Sequence, residues 1–217
     1  MTNREMNNHE NAIKIFSQNT DVLEGGLFRI VKAKLSHLLY NGKMSEPITR
    51  ISFERGNSVG VLLYDRATDG VVLVRQFRFP VYLGLSDDQK NSDDVEKAWL
   101  LELVAGVQEE GESAVEVGRR ELLEEAGFKI KDEFHHIANV YASPGGSSER
   151  IDLFWAEIDK DSHVEEGGGL VQEGEDIQII SYPFSKVIAM MEIGEITDGK
   201  TIIAIQHIAL LKAQGKL

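Results

Sequence analysis

The sequence predicts a mixed α/β sandwich, and three observations carry that reading. β-branched runs bounded by turn residues recur along the chain, one strongly capped helix sits among them, and two helical stretches close it. Strands and helices do not alternate strictly, which argues against a doubly wound parallel sheet. With 217 residues, 42% apolar and 27% charged, the chain suits one compact domain or a large domain with a small one.

Residues 1–20 are polar and Asn-rich and read as a flexible arm. Structure is expected from about Leu27, where Val31, Ala33 and Leu35 alternate with Ile30, Lys32 and Lys34 at the period of a strand. Asn41-Gly42 favours a type I′ hairpin that returns PITRISFE antiparallel, so residues 21–55 form a small N-terminal antiparallel β unit. NSVGVLLYD and GVVLVRQFRF form a second hairpin leading into a larger sheet. GLSDDQKNSDDVEK reads as an exposed loop with a short strand over residues 99–104 behind it. HHIANVYAS, RIDLFWAEI and DIQIISYPF supply further strands, SKVIAMMEIG and TIIAIQHIALLKAQ the closing helices, and residues 56–217 make the main domain.

Charge and composition narrow the function. The chain holds 36 acidic and 23 basic residues, a formal net charge of -13, which disfavours nucleic acid and anionic membrane surfaces as partners. A phosphorylated ligand would need a recruited cation. The absence of cysteine removes thiolate nucleophiles, disulfide scaffolds and Cys-ligated zinc, and suits a reducing cytoplasm. The first residues lack the apolar core of a signal peptide, and no stretch approaches the roughly 18 apolar residues of a membrane span.

The informative segment is AGVQEEGESAVEVGRRELLEEAGF at 105–128. Ser113 with Glu116 forms a capping box, and Gly127 is placed for the left-handed position after the helix. Val115, Leu122 and Ala126 share an arc expected to face the core, and Glu121, Glu124 and Glu125 share another. Like charges at that spacing cost a helix a few tenths of a kcal/mol per pair, whereas a Mg²⁺ or Mn²⁺ ion reverses the sign. Arg120 lies four residues from both Glu116 and Glu124 and is expected to orient carboxylate. On charge pattern alone, an ordinary solvated helix face is an equal reading.

Gly106, Glu112, Arg120-Glu121, Glu124-Glu125 and Gly127-Phe128 reproduce every fixed position of G-x5-E-x7-R-E-U-x-E-E-x-G-U, with U apolar. The sequence thus resembles the Nudix hydrolases, and from about residue 21 to 212 it resembles their ADP-ribose pyrophosphatase branch. That resemblance implies an α/β/α sandwich with an N-terminal β unit shared across a homodimer. It implies Mg²⁺-dependent hydrolysis of the diphosphate of ADP-ribose, with GDP-mannose as an alternative nucleoside-diphosphate-sugar substrate and a non-catalytic ligand sensor as another class. Position by position it implies Glu121, Glu124, Glu125 and the Ala105 carbonyl as metal ligands, with Glu175 as a further one and Glu112 as a structural partner. The branch carries its base on a later mobile loop, which here puts Glu173 forward, with Glu165, Glu166 and Asp176 as alternatives.

The same resemblance assigns Arg50 and Arg78 to the substrate phosphates, Phe28 to adenine stacking at a dimer interface, and Gly145, Gly146 and Glu149 to the terminal ribose. Core packing for Phe28, surface ion pairs for the arginines and a plain tight turn for the glycines are the competing readings. GEITDGKT at 194–201 matches a P-loop letter for letter, but a helical pattern precedes it and sixteen residues follow it, so it is read as the turn between the closing helices. The six histidines show no paired ligand spacing.

Overall fold

The computed structural model describes residues 12–23 and 28–217. It divides into two compact units, Met1–Gly56 with Tyr141–Glu149, and Asn57–Val140 with Arg150–Leu217.

The first unit is an antiparallel sheet of β1 (Ile13–Val22), β2 (Arg29–His37) and β3 (Ile48–Glu54), in that order. The flexible arm expected over 1–20 is corrected from Ile13 onward, because β1 pairs with β2 from Ile13↔His37 to Val22↔Arg29. Every residue of β1 is exposed, so backbone pairing rather than a buried face holds it, and apolar alternation gives no signal there. Residues 1–11 and the expected onset at Leu27 lie outside the described residues. The β2–β3 hairpin has the expected partners, from Arg29↔Glu54 to Leu35↔Ile48. Its turn differs from type I′: Gly42 has a positive φ of 85° but Asn41 does not, and Asn41 Oδ1 accepts from the Lys43 N–H at 2.9 Å. That Asx contact closes a three-residue loop with Gly42 as its left-handed member.

In the second unit, β4 (Ser58–Asp65), β5 (Gly70–Phe77), β8 (His135–Tyr141), β9 (Arg150–Ile158) and β10 (Gln178–Pro183) are ordered β10-β5-β4-β9-β8. β6 (Trp99–Glu102) adds to β5 and β7 (Val104–Val107) to β4, so the single strand expected over 99–104 is two strands with different neighbours. The sheet is mixed: β4 runs parallel to β9 and antiparallel to β5 and β7. Val59, Val61 and Leu63 of β4 pack with Val117, Leu122 and Ala126 of α3 (Ala114–Ala126) on one face. Leu62 and Tyr64 pack on the other face with Val187 of α4 (Phe184–Glu192) and Ala204, Ile205 and Ile208 of α5 (Gly199–Ala213). The period-2 alternation of β4 thus feeds both layers of an α/β/α sandwich.

The segment expected as an exposed loop is short helix instead: Ser86 caps α2 (Asp87–Lys90) through a capping box with Gln89, and a 3₁₀ turn covers Asp93–Ala98. A further short helix, α1 (Phe79–Gly84), precedes it. Polar composition hid these turns, but Ser86 and Ser92 are their caps.

Candidate active site

α3 begins and ends where its local chemistry dictates. Ser113 Oγ accepts from the Glu116 N–H while Glu116 Oε2 accepts from the Ser113 N–H, and Gly127 takes φ 71° with its N–H bonded to the Leu122 and Leu123 carbonyls. Leu122 and Ala126 face the core as expected, but Val115 is 38% exposed, and near the start of the helix the buried positions are Val117 and Gly118 instead.

The three glutamates do not form a face separate from the core. Glu125 is only 3% exposed, in the middle of the buried side, and its Oε2 accepts from the Ala105 N–H of β7 at 3.3 Å. Glu121 lies against Gly106, where a Cβ would sit 1.7 Å from Glu121 Oε1, so this position of the Gly106-to-Phe128 pattern is reserved for glycine by close approach. Burial pushes the Glu125 carboxyl up to about 8, and the charges of Glu121 and Glu175 add to that; the Ala105 N–H and Arg78 oppose it. Burial also raises Glu121, with Glu124 and Glu175 adding and Arg120 opposing. Burial and the negative charge of neighbouring carboxylates thus act together on Glu121 and Glu125. Among the described residues no three acidic or imidazole side chains are already drawn together around one ion position. Hard oxygens in mutual repulsion nonetheless fit a divalent cation, which relieves the conflict by charge.

Arg120 reaches Glu124 (Nη1–Oε2, 3.3 Å), as the four-residue spacing predicts, and also Glu121 (Nη1–Oε1, 2.7 Å). Its other end grips Glu112 through Nε and Nη2, both at 3.2 Å, which gives Glu112 its structural task. Glu116, the other residue expected within reach, is occupied by the helix cap. The charge and hydrogen bonds of Glu112 raise the Arg120 pKa further, so the guanidinium stays charged.

The glycine-rich segment expected as a freely mobile loop is tied to the end of α3. The Val164 and Glu165 N–H groups donate to the Gly127 carbonyl, Gly168 N–H to Glu125 O and Gly169 N–H to Glu124 O, at 2.9 to 3.2 Å. The Ile177 N–H then returns to Gly168 O at 3.0 Å. What projects is the short excursion between those ties. It contains the 3₁₀ turn Val171–Glu173, and Glu175, whose Oε2 accepts from the Leu170 N–H at 2.9 Å. The Glu173 side chain lies outside the described residues. Of the alternatives, Glu165 and Glu166 belong to the tied part and Asp176 lies at the close of the excursion.

Arg78 belongs to a network that the sequence reading missed. Its Nε and Nη2 grip Glu102 at 2.6 and 2.9 Å, and Glu102 also contacts Lys200 Nζ. Lys200 in turn lies 3.0 Å from Asp198, which caps α5 by accepting from Thr201 N–H, while Thr201 Oγ1 accepts from Leu103 N–H. Burial works against the charge on Arg78 and Glu102 alike, but their pairing outweighs it, so Arg78 is raised and Glu102 lowered; Glu125 is among the charges acting on Arg78. The available signal was Glu102 itself, an acid embedded in WLLELV.

The remaining predicted residues lie in the first unit. Phe28 stacks on Phe53 at 5.4 Å, the Phe53 N–H donates to Gly146 O at 2.8 Å, and Glu149 pairs with Arg55 at 3.7 Å. Gly145 and Gly146 have nothing within 4 Å of an added Cβ, and the Gly146 and Ser147 N–H groups both return to Ser143 O, as a tight turn requires. Arg50 is exposed and three residues from Phe53 in β3, so it projects from the opposite sheet face and does not join the Phe28–Phe53 stack. In the second unit, a cavity of about 480 Å³ lined by Phe128, His163, Ile179 and Tyr182 contains none of the predicted residues.

An α/β/α sandwich that holds a buried carboxylate cradle on one helix, braced by Arg120, defines a hydrolase class built to handle a cation and a phosphorylated ligand together. The NUDIX domain profile matches residues 54–197, and the chain belongs to the Nudix family of hydrolases. It is 36% identical over 201 residues to an ADP-ribose pyrophosphatase of Escherichia coli strain K12, covering 93% of this chain and 90% of that protein. To a GDP-mannose pyrophosphatase of Pectobacterium atrosepticum it is 39% identical over 167 residues, 77% of this chain and 79% of the relative. A crystal structure described as an ADP compounds hydrolase superposes with a TM-score of 0.64 at 21% identity, covering 94% of this chain and 97% of the other, a likeness of fold. Nudix hydrolases generally use a divalent cation. No helix among the described residues is long and apolar enough to cross a membrane.

Proposed function

We propose that this chain hydrolyses the diphosphate bond of ADP-ribose to AMP and ribose 5-phosphate, with Mg²⁺ as the cation and Mn²⁺ as a substitute. The observation that carries the reading is the buried Glu125, raised by Glu121 and Glu175, in a cradle that only added positive charge would relieve. The near full-length similarity to an ADP-ribose pyrophosphatase supports the substrate. Glu121, Glu124, Glu125, Glu175 and the Ala105 carbonyl would hold the cation, which supplies neutralisation of the diphosphate and acidifies a bound water. Arg120 keeps Glu121 and Glu124 oriented, and Arg78 offers its guanidinium to phosphate oxygens. Glu173, on the excursion held by the α3 end, takes the proton of the attacking water. Phe28, Arg50, Gly145, Gly146 and Glu149 form the substrate contacts of the first unit, contributed across a homodimer. The cysteine-free composition supports a cytoplasmic setting.

The test is a panel of ADP-ribose, GDP-mannose, UDP-glucose and NADH with Mg²⁺. We expect the highest kcat/KM for ADP-ribose. Preference for GDP-mannose would move the chain to its other relatives' substrate, and no phosphomonoester product from any compound would overturn the enzymatic reading.

A further inference from the structure

We propose that Lys200 is a positioning residue, which acts through buried Glu102 to aim the Arg78 guanidinium at the diphosphate. This rests on the reading of the cradle as a diphosphate site. The residue comes from the stretch that imitates a P-loop, GEITDGKT, and the structure gives that stretch a different use. Asp198 caps α5, and Lys200 and Thr201 lie in its first turn, so Lys200 is delivered to Glu102 by a helix end that is itself pinned to Leu103. Glu102 is 1% exposed, so its carboxylate cannot turn to water, and it must satisfy itself on Arg78 and Lys200.

The arrangement has a directional consequence. Glu102 already receives two hydrogen bonds from Arg78, one on each oxygen, and this pairing fixes the guanidinium plane. Nη1 of Arg78 has no hydrogen-bond partner among the described residues. Lys200 stands between Glu102 and Asp198 and contacts both. Without its ammonium, two carboxylates would share one pocket, both drawing on Arg78, whose charge also feels Glu125 on the cradle side. The guanidinium would then be divided between Asp198 and Glu102 and turn from the cradle. Lys200 neutralises Asp198 and leaves Glu102 to hold Arg78 alone.

The experiment is a double-mutant cycle of Lys200→Met and Arg78→Met, read by calorimetric binding of ADP as a stable diphosphate, alongside ADP-ribose kinetics with Mg²⁺. We expect Lys200→Met to weaken ADP binding about tenfold, to raise KM more than it lowers kcat, and to have no further effect in the Arg78→Met background. Lys200→Arg, which restores a cation between the carboxylates, should recover most of the affinity. A Lys200→Met penalty that persists undiminished without Arg78, in folded proteins that still bind ADP, would overturn the positioning role and leave the proposed function standing. ADP binding that follows the expected cycle, without hydrolysis of any diphosphate sugar, would instead remove the proposed function alone. No binding of ADP by the unaltered protein would overturn the positioning role, and the proposed function would fall with it only if ADP-ribose were also left intact.

Discussion

Glu125 holds the cradle's central conflict, a carboxylate 3% exposed that shares its surroundings with Glu121 and Glu175. Its folded pKa of about 8 stands above the ordinary 4.5, so the folded protein binds this proton more tightly than the unfolded chain does. The associated stability is complete below about pH 4.5 and is lost as the pH rises through about 8. At ~1.4 kcal/mol per pH unit the loss amounts to several kcal/mol. Metal-free protein is therefore expected to lose Tm between pH 5 and 9, and Glu125→Gln should flatten that slope while cutting turnover by orders of magnitude. Thermal unfolding of both proteins across that range, with and without Mg²⁺, checks it. A slope unchanged by the substitution would place the titrating group elsewhere. The place of Glu125 beside Glu121 and Glu124 was legible in the spacing of the helix, but its burial was not, because a 100° wheel places residues around an axis without saying where the sheet lies. Val115 and Glu125 exchanged expected environments for that reason.

At the scale of elements, the caps of α3 were readable because they are local chemistry: Ser113, Glu116 and Gly127 act on backbone groups within one turn. The tie between α3 and the 163–177 segment was not readable, since it runs through backbone N–H groups that carry no side-chain signature. Asp198 and Lys200 likewise looked like part of a turn until tertiary packing brought Glu102 beside them. The α3 tie makes Gly127 a junction. A Cβ there would lie 2.0 Å from the Glu165 carbonyl oxygen, on a residue already at φ 71°. Gly127→Ala is expected to cost about 2 kcal/mol or more in urea unfolding. It should also lower kcat through the displaced Glu173-bearing excursion. Gly145→Ala, with open space around its added carbon, is the matched comparison and should leave the unfolding free energy within about 0.5 kcal/mol of the unaltered protein. Equal effects of the two substitutions would show that the tie does not hold the loop.

For the whole molecule, the net charge of -13 is unevenly spread. Residues 87–125 carry thirteen acidic and four basic side chains, whereas residues 12–56 carry seven basic and four acidic ones. The basic stretch is also where large apolar side chains are exposed, with Ile51 and Phe53 on one face of β3 and Ile13, Ile15 and Val22 on the edge strand β1. A ten-residue exposed edge strand beside an exposed apolar face is a surface that proteins ordinarily cover or blunt. Under the proposed homodimer a second copy of the chain covers it, with the acidic remainder of the partner complementing the basic sheet. Light scattering at micromolar concentration should then give twice the 24.2 kDa chain mass. Ile51→Glu, which places charge on that face without touching the core of the second unit, should return it to the single-chain mass. If Phe28 and its neighbours serve the partner's substrate, ADP-ribose KM should rise in the same variant while the thermal stability of the second unit is kept. A monomeric unaltered protein with full ADP-ribose turnover would refute the dimer and leave the cradle of one chain as the complete site.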